Sequence, residues 1–199
     1  MMGHLSDEGV YRDRLRSQIK ETYAKELYTR QTQNIAANRT RKTARVISAA
    51  QIVLTSISTV GLVSVAFGQG AFATVVACIC SAISLALNLY SRGANLEELS
   101  AEHVRAVNDL WTVEQGYLSL LTDFDALELS EIRERRNELQ QELDSVYRRS
   151  PRTAEGDYKK ARKGLKEDEA QSFEPGEADK LLPAEVRSEE RRVGKECRS

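Results

Sequence analysis

VISAAQIVLTSISTVGLVSVAFGQGAFATVVACICSAISLALNLYS, residues 46–91, contains no Asp, Glu, Lys or Arg in a chain that is 30% charged. Gly68-Gln69-Gly70 divides it into two apolar segments, residues 46–67 and 71–90. Each is close to the ~20 residues with which a helix crosses the hydrocarbon core. The stretch reads as a two-helix transmembrane hairpin, and the rest of the chain is organised around it.

Averaged over 199 residues the composition looks soluble, with 41% hydrophobic residues and a net charge of −1. The average conceals one apolar quarter set in a strongly polar remainder. No signal peptide is expected, because the first apolar run begins only at Val46, behind a long charged segment; the first span reads as a retained anchor. Arg39, Arg41, Lys42 and Arg45 crowd the entrance to the first span and Arg92 follows the second. Cations beside a span stay on the cytoplasmic side, so these five residues predict a multi-pass protein of the bacterial inner membrane with both termini cytoplasmic. The short turn at residues 68–70 leaves no room for an external ligand site, which places sensing and partner binding in the cytoplasm.

The three cysteines do not form a disulfide framework. Cys78 and Cys80 lie two apart in the second span and so face different ways; they read as buried small apolar residues, with a redox or lipidation role as the alternative. Neither His has a ligand-spaced partner, so no metal site is expected, and no cofactor.

Residues 187–199, RSEERRVGKECRS, look like an in-frame translation of a common short-read sequencing adapter. They read as an artefact to be set aside, Cys197 with them. Without their five Lys/Arg and three Asp/Glu the net charge moves from −1 to −3. The basic residues are local, which fits membrane orientation and not a nucleic-acid surface; no direct nucleic-acid binding is expected.

Five segments follow. Residues 1–45 form an N-terminal cytoplasmic helix, with Leu15, Ile19, Tyr23 and Leu27 on one face and Ser6 as its cap. Nothing between Tyr11 and Phe67 is Gly or Pro except Gly61, so this helix is expected to run into the first span. Residues 46–91 are the transmembrane hairpin. Residues 92–150 form a cytoplasmic helical hairpin: Leu96, Leu99, His103, Val107, Leu110, Tyr117, Leu121 and Phe124 make a coiled-coil-like seam that Glu114 interrupts, and Ile132, Leu139, Leu143 and Val146 share a face of the next helix. Residues 151–186 are a short helix and tail ending in Leu181-Leu182-Pro183, which reads either as a docking segment or as a loosely ordered end. Trp111, beside Leu110, is expected to be a core anchor. His103 reads as a polar register-setter or as a pH-responsive element.

No enzyme signature is present: no glycine-rich phosphate loop, nucleophile elbow or metal-ligand spacing. The informative polar residues lie inside the spans. Ser48, Gln51, Thr55 and Ser58 fall on one face of the first, and Thr74, Ser81, Ser84 and Asn88 on one face of the second. Two readings of these stripes stand. They hold helices together in lipid, or they line a wet path in an oligomer.

A polar N-terminal helix, two spans with almost no external loop and a longer cytoplasmic helical region resemble the SLATT family, the SMODS and SLOG-associating two-transmembrane effector domains of bacterial conflict and antiphage systems. The most similar stretches are Tyr28-Thr29-Arg30-Gln31 through Asn38-Arg39, residues 96–111 (LEELSAEHVRAVNDLW) and residues 151–165 (PRTAEGDYKKARKGL) with the Leu-Leu-Pro ending. The resemblance implies an all-α membrane effector that forms a pore or disrupts the membrane as a homo-oligomer when a partner triggers it. Family members are encoded beside second-messenger synthases, nucleotide sensors or reverse transcriptases. The alternatives are a non-conducting two-span scaffold that anchors a cytoplasmic interaction module, and a soluble helical pair buried in a large core.

Overall fold

The computed structural model describes residues 2–66 and 71–166. The turn at residues 68–70, the Leu181-Leu182-Pro183 ending and the adapter-like tail lie outside the described residues. Every regular element among the described residues is an α-helix: α1 Met2–Ala66, α2 Ala71–Ala94, α3 Leu96–Thr122, α4 Leu129–Arg149 and α5 Glu155–Lys166. Two of the helices contain stretches long and apolar enough to cross a membrane.

With no proline and few glycines to interrupt it, α1 is one helix of 65 residues, about 100 Å long. It crosses the expected 45/46 boundary without a break. Ser6 is not its cap, since α1 is already helical from Met2. A capping residue marks a start only where the chain before it leaves the helix, and nothing between Met2 and Ser6 forbids helical backbone.

Between α2 and α3 stands a single residue, Asn95, at φ 42° and ψ 47°. Asn is among the few side chains that tolerate this left-handed conformation. Its backbone stays bonded on both sides, its N–H donating to Ser91 O at 3.1 Å and its carbonyl accepting from Leu99 N at 3.0 Å. The side-chain amide donates to Glu98.

Helix α3 returns along the N-terminal half of α1. His103, Leu110 and Tyr117 are buried in the contact, and Leu96, Leu99, Val107 and Leu121 are half-buried. Two expectations fail here. Trp111 is 53% exposed, because one residue past Leu110 turns the side chain by about 100°, off the inward face. Phe124 is buried but lies beyond the end of α3, in the turn to α4. Arg12 and Arg16 stack over its ring at 5.4 and 4.8 Å from the centroid. Arg12 also donates to the carbonyls of Phe124 and Leu127 at 2.6 and 2.8 Å, so the start of α1 clamps the α3–α4 turn.

At the start of α4 the Glu131 carboxylate accepts the Glu128 N–H at 3.0 Å, half of a capping box. The helix ends where Pro151 forces the preceding Ser150 into extended backbone, φ −75° and ψ 136°. Ile132, Leu143 and Val146 join Leu15, Ile19, Leu110, Val113, Tyr117, Leu120 and Phe124 in one core. A Cβ on Gly116 of α3 would meet the end of the Leu139 side chain of α4, which would have to shift. This core belongs to a compact unit of residues Met1–Ala161.

Candidate functional site

Along residues 46–63 and 71–90 the apolar side chains are mostly uncovered. Ile52 (68%), Val60 (67%), Phe72 (83%) and Leu89 (64%) are examples of exposure that a water-facing surface rarely carries. Burial is confined to the line where α1 and α2 touch. There Ser58 is buried and its Oγ donates to Ala77 O at 3.3 Å. Thr55 Oγ1 and Ser84 Oγ lie 3.4 Å apart. A Cβ on Gly61 would stand 2.7 Å from Ala77 Cβ and 3.1 Å from Ala73 O, so the glycine sets the approach of the two backbones.

The polar stripes are therefore divided. Thr55, Ser58 and Ser84 meet in the α1–α2 contact. Gln51 and Thr74 are half-buried at its margins, and Ser48, Ser81 and Asn88 are exposed. Cys78 is exposed and Cys80 half-buried. The expectation of two buried packing residues fails for Cys78, which lies on the side of α2 turned away from α1.

Among the five flanking cations, Arg41, Lys42, Arg45 and Arg92 are exposed. Arg39 is committed elsewhere. Its Nε and Nη2 donate to the two carboxylate oxygens of Asp157 on α5 at 3.0 and 3.1 Å.

That ion pair is one rung of a ladder of largely part-buried polar contacts between the N-terminal part of α1 and its neighbours. Farthest from the spans, the Tyr147 hydroxyl of α4 donates to Glu26 at 2.8 Å and lies 3.2 Å from Thr29 Oγ1. Burial raises the Glu26 carboxyl above its usual value, against the lowering effect of the Tyr147 bond. It also pushes the Tyr147 and Tyr117 phenols up to about 12. The Tyr117 hydroxyl has no hydrogen-bond partner among the described residues.

Next comes Arg30, whose Nε donates to Glu114 Oε2 at 2.6 Å. Glu114, the interruption in the α3 pattern, is buried, and Arg30 supplies the charge it needs there. Gln33 spans two elements: its Nε2 donates to Pro151 O at 3.1 Å, and its Oε1 accepts from His103 Nδ1. An amide oxygen only accepts, so the bond assigns the proton to Nδ1. Burial holds the His103 pKa below its usual value, with the positive charge of Arg39 acting in the same sense and Asp157 and Glu102 opposing.

Above these, Ser100 Oγ donates to Ala37 O at 3.0 Å. At the top is Asp157, whose second oxygen also accepts the Ala154 N–H at 3.2 Å. Burial alone would raise this carboxyl; the hydrogen bonds from Arg39 and Ala154 and the charges of Arg39 and Lys160 outweigh it and hold it low.

Sequence reasoning identified His103 and missed Glu26, Arg30, Gln33, Glu114 and Asp157. A partial signal was there: Glu26, Arg30 and Gln33 recur at four-three spacing, polar residues on one face. A buried polar network whose members are satisfied rigidifies one arrangement. No group of three or more potential metal ligands occurs among the described residues.

The model of the SMODS and SLOG-associating 2TM effector domain family 4 matches residues 15–177. The chain belongs to this family. The SLATT match takes in the ladder and both apolar helices, and it stops before the adapter-like tail. It makes the protein a membrane-associated effector of conflict systems. No curated protein and no solved structure matches the chain.

Proposed function

We propose that this SLATT protein is a non-enzymatic, pore-type effector of the bacterial inner membrane. Residues 46–66 and 71–90 span the bilayer as a hairpin with both termini cytoplasmic, and the protein acts as a homo-oligomer. The cytoplasmic helices hold the assembly closed until a partner, of the kind encoded with this family, rearranges them. The observation that carries this reading is the continuity of α1, which bears both the buried polar ladder and the first apolar segment on one uninterrupted helix. Uncovered apolar surface on both segments supports a lipid environment over burial in a soluble core.

Pairing within the hairpin uses Thr55, Ser58 and Ser84. Gln51, half-buried at its margin, and the exposed Asn88, Ser48 and Ser81 remain to line a path between hairpins. The test is membrane-potential dye uptake in bacteria expressing the chain with its genomic neighbour. Depolarisation that Gln51→Leu and Asn88→Leu abolish at unchanged protein level is expected; full depolarisation in the double variant would exclude lining by these amides.

A second reading, a non-conducting scaffold, is favoured by the hydrogen bonds that already satisfy part of the stripes within one chain. It requires that an unrelated two-span hairpin in place of residues 46–90 keep the protein active. Loss of activity after that exchange favours the pore.

A further inference from the structure

Where α1 leaves its charge-free segment, an open cavity of about 640 Å³ lies between it and α3. Arg41 and Arg45 of α1 and Arg105 of α3 stand on its walls, with Glu97 as its one carboxylate and Ala101 and Val104 among its apolar lining. Its size falls in the ~300–1,000 Å³ range of small-molecule sites.

Arg16, Arg30, Arg39, Arg148 and Arg149 all have carboxylate partners. Among the described residues, Arg41, Arg45 and Arg105 have neither a salt bridge nor a hydrogen bond. Three unpaired guanidinium groups against one carboxylate leave the cavity two charges positive. Guanidinium forks match the oxygens of a phosphate.

Position identifies the source of that phosphate. Arg45 adjoins the first residue of the apolar stretch, and the face of α1 that carries Arg41 and Arg45 continues at helical spacing into Ala49, Ile52 and Val53. Ile52 and Val53 are 68% and 58% exposed. A molecule with its anionic end in the cavity thus has a continuous apolar surface beside its other end, which is the shape of a phospholipid at the membrane surface. We propose that this cavity is a binding site for the phosphate headgroup of an anionic phospholipid, bridging the first span and α3.

The full chain is reconstituted in phosphatidylcholine vesicles with and without cardiolipin, and the lipid retained after extraction is counted by native mass spectrometry. Cardiolipin retention is expected, weakened about tenfold for each of Arg41→Gln and Arg105→Gln, the factor for one lost hydrogen bond to a charged group. Arg92→Gln, at the same membrane edge but outside the cavity, is expected to leave it unchanged. Ala101→Trp, which fills the cavity without altering charge, is expected to abolish it. Equal losses in the Arg92 and Arg105 variants would reduce the effect to general surface charge and overturn the site. So would the absence of any preference for cardiolipin. Inorganic pyrophosphate binding in phosphatidylcholine vesicles with the same arginine dependence would overturn the lipid assignment in favour of a soluble phosphate compound. None of these readings depends on conductance.

Discussion

Arg39 of α1 and Asp157 of α5, separated by 118 residues in sequence, form a two-pronged ion pair at 3.0 and 3.1 Å. The carboxylate side chain is 2% exposed and the guanidinium 49%. Replacing Arg39 by Ala leaves a buried carboxylate with only the Ala154 N–H and the nearby Lys160. Because the Arg is half in water, the expected loss is about 1–2 kcal/mol. Hydrogen exchange of residues 155–161 should speed up while the core helices stay protected; unchanged exchange there would show that the pair does not hold α5.

The Arg30–Glu114 contact lies deeper, with side-chain exposures of 17% and 5%. Arg30→Met strands the Glu114 carboxylate and should destabilise the helical bundle by about 3–5 kcal/mol, whereas Arg30→Met with Glu114→Leu should recover most of that loss. Denaturant unfolding of the three variants checks it. A double variant as unstable as the single one would contradict the account of Glu114 as a buried charge in need of a partner.

Two groups of the ladder titrate in opposite senses. His103 has a folded pKa below 6.5, so the unfolded chain binds more protons as pH falls through 6.5 and stability is lost on acidification. Glu26 has a folded pKa above 4.5, so the folded chain holds its proton longer and stability falls as pH rises from 4.5 through that raised value. The thermal midpoint should therefore rise more steeply between about pH 5 and about pH 7 in Glu26→Gln than in the parent, and lose that rise in His103→Gln, where the Glu26 contribution alone makes it fall with pH. A parent profile that is flat throughout, with a flat Glu26→Gln profile, would dispose of His103 as a pH-responsive group.

Gly61→Val should push the two apolar helices apart, since its Cβ would sit 2.7 Å from that of Ala77. Overpacking of this kind costs about 1–3 kcal/mol. Disulfide trapping between cysteines placed at Ser58 and Ala77 reads the separation directly, and undiminished trapping in the Gly61 variant would refute the contact.

Trp111→Ala, by contrast, should shift stability by no more than about 0.5 kcal/mol, as for an exposed site, while Tyr117→Ala on the inward face should cost about 3–5 kcal/mol. Thermal unfolding compares the pair; a costly Trp111 substitution would return that residue to the core.

The sequence made the helical class and the two apolar helices legible because one long charge-free stretch has few physical uses, and because the spacing of Leu110, Tyr117, Ile132 and Val146 is set by the helix itself. The ladder was not legible. Glu114 reads as an interruption in any local pattern, since the residue that makes its burial tolerable lies 84 positions away in Arg30. Asp157 sits in a basic segment and reads as solvated until Arg39 is brought to it. Trp111 was misplaced because adjacency to a core Leu is not a shared helix face. Pattern reasoning finds surfaces that bury apolar area, whereas a buried charge is intelligible only with its distant partner.

The unbroken course of α1 has a mechanical meaning. From the neck at Arg45 back to Arg12 the helix forms an arm of about 50 Å. A tilt of roughly 6° about the neck would carry its far end about 5 Å, close to the rise of one helical turn. The far end is where Arg12 and Arg16 grip Phe124 and the α3–α4 turn. A partner that displaces this turn by one helical turn would work the helix as a lever, delivering a small, stiff rotation to its apolar segment.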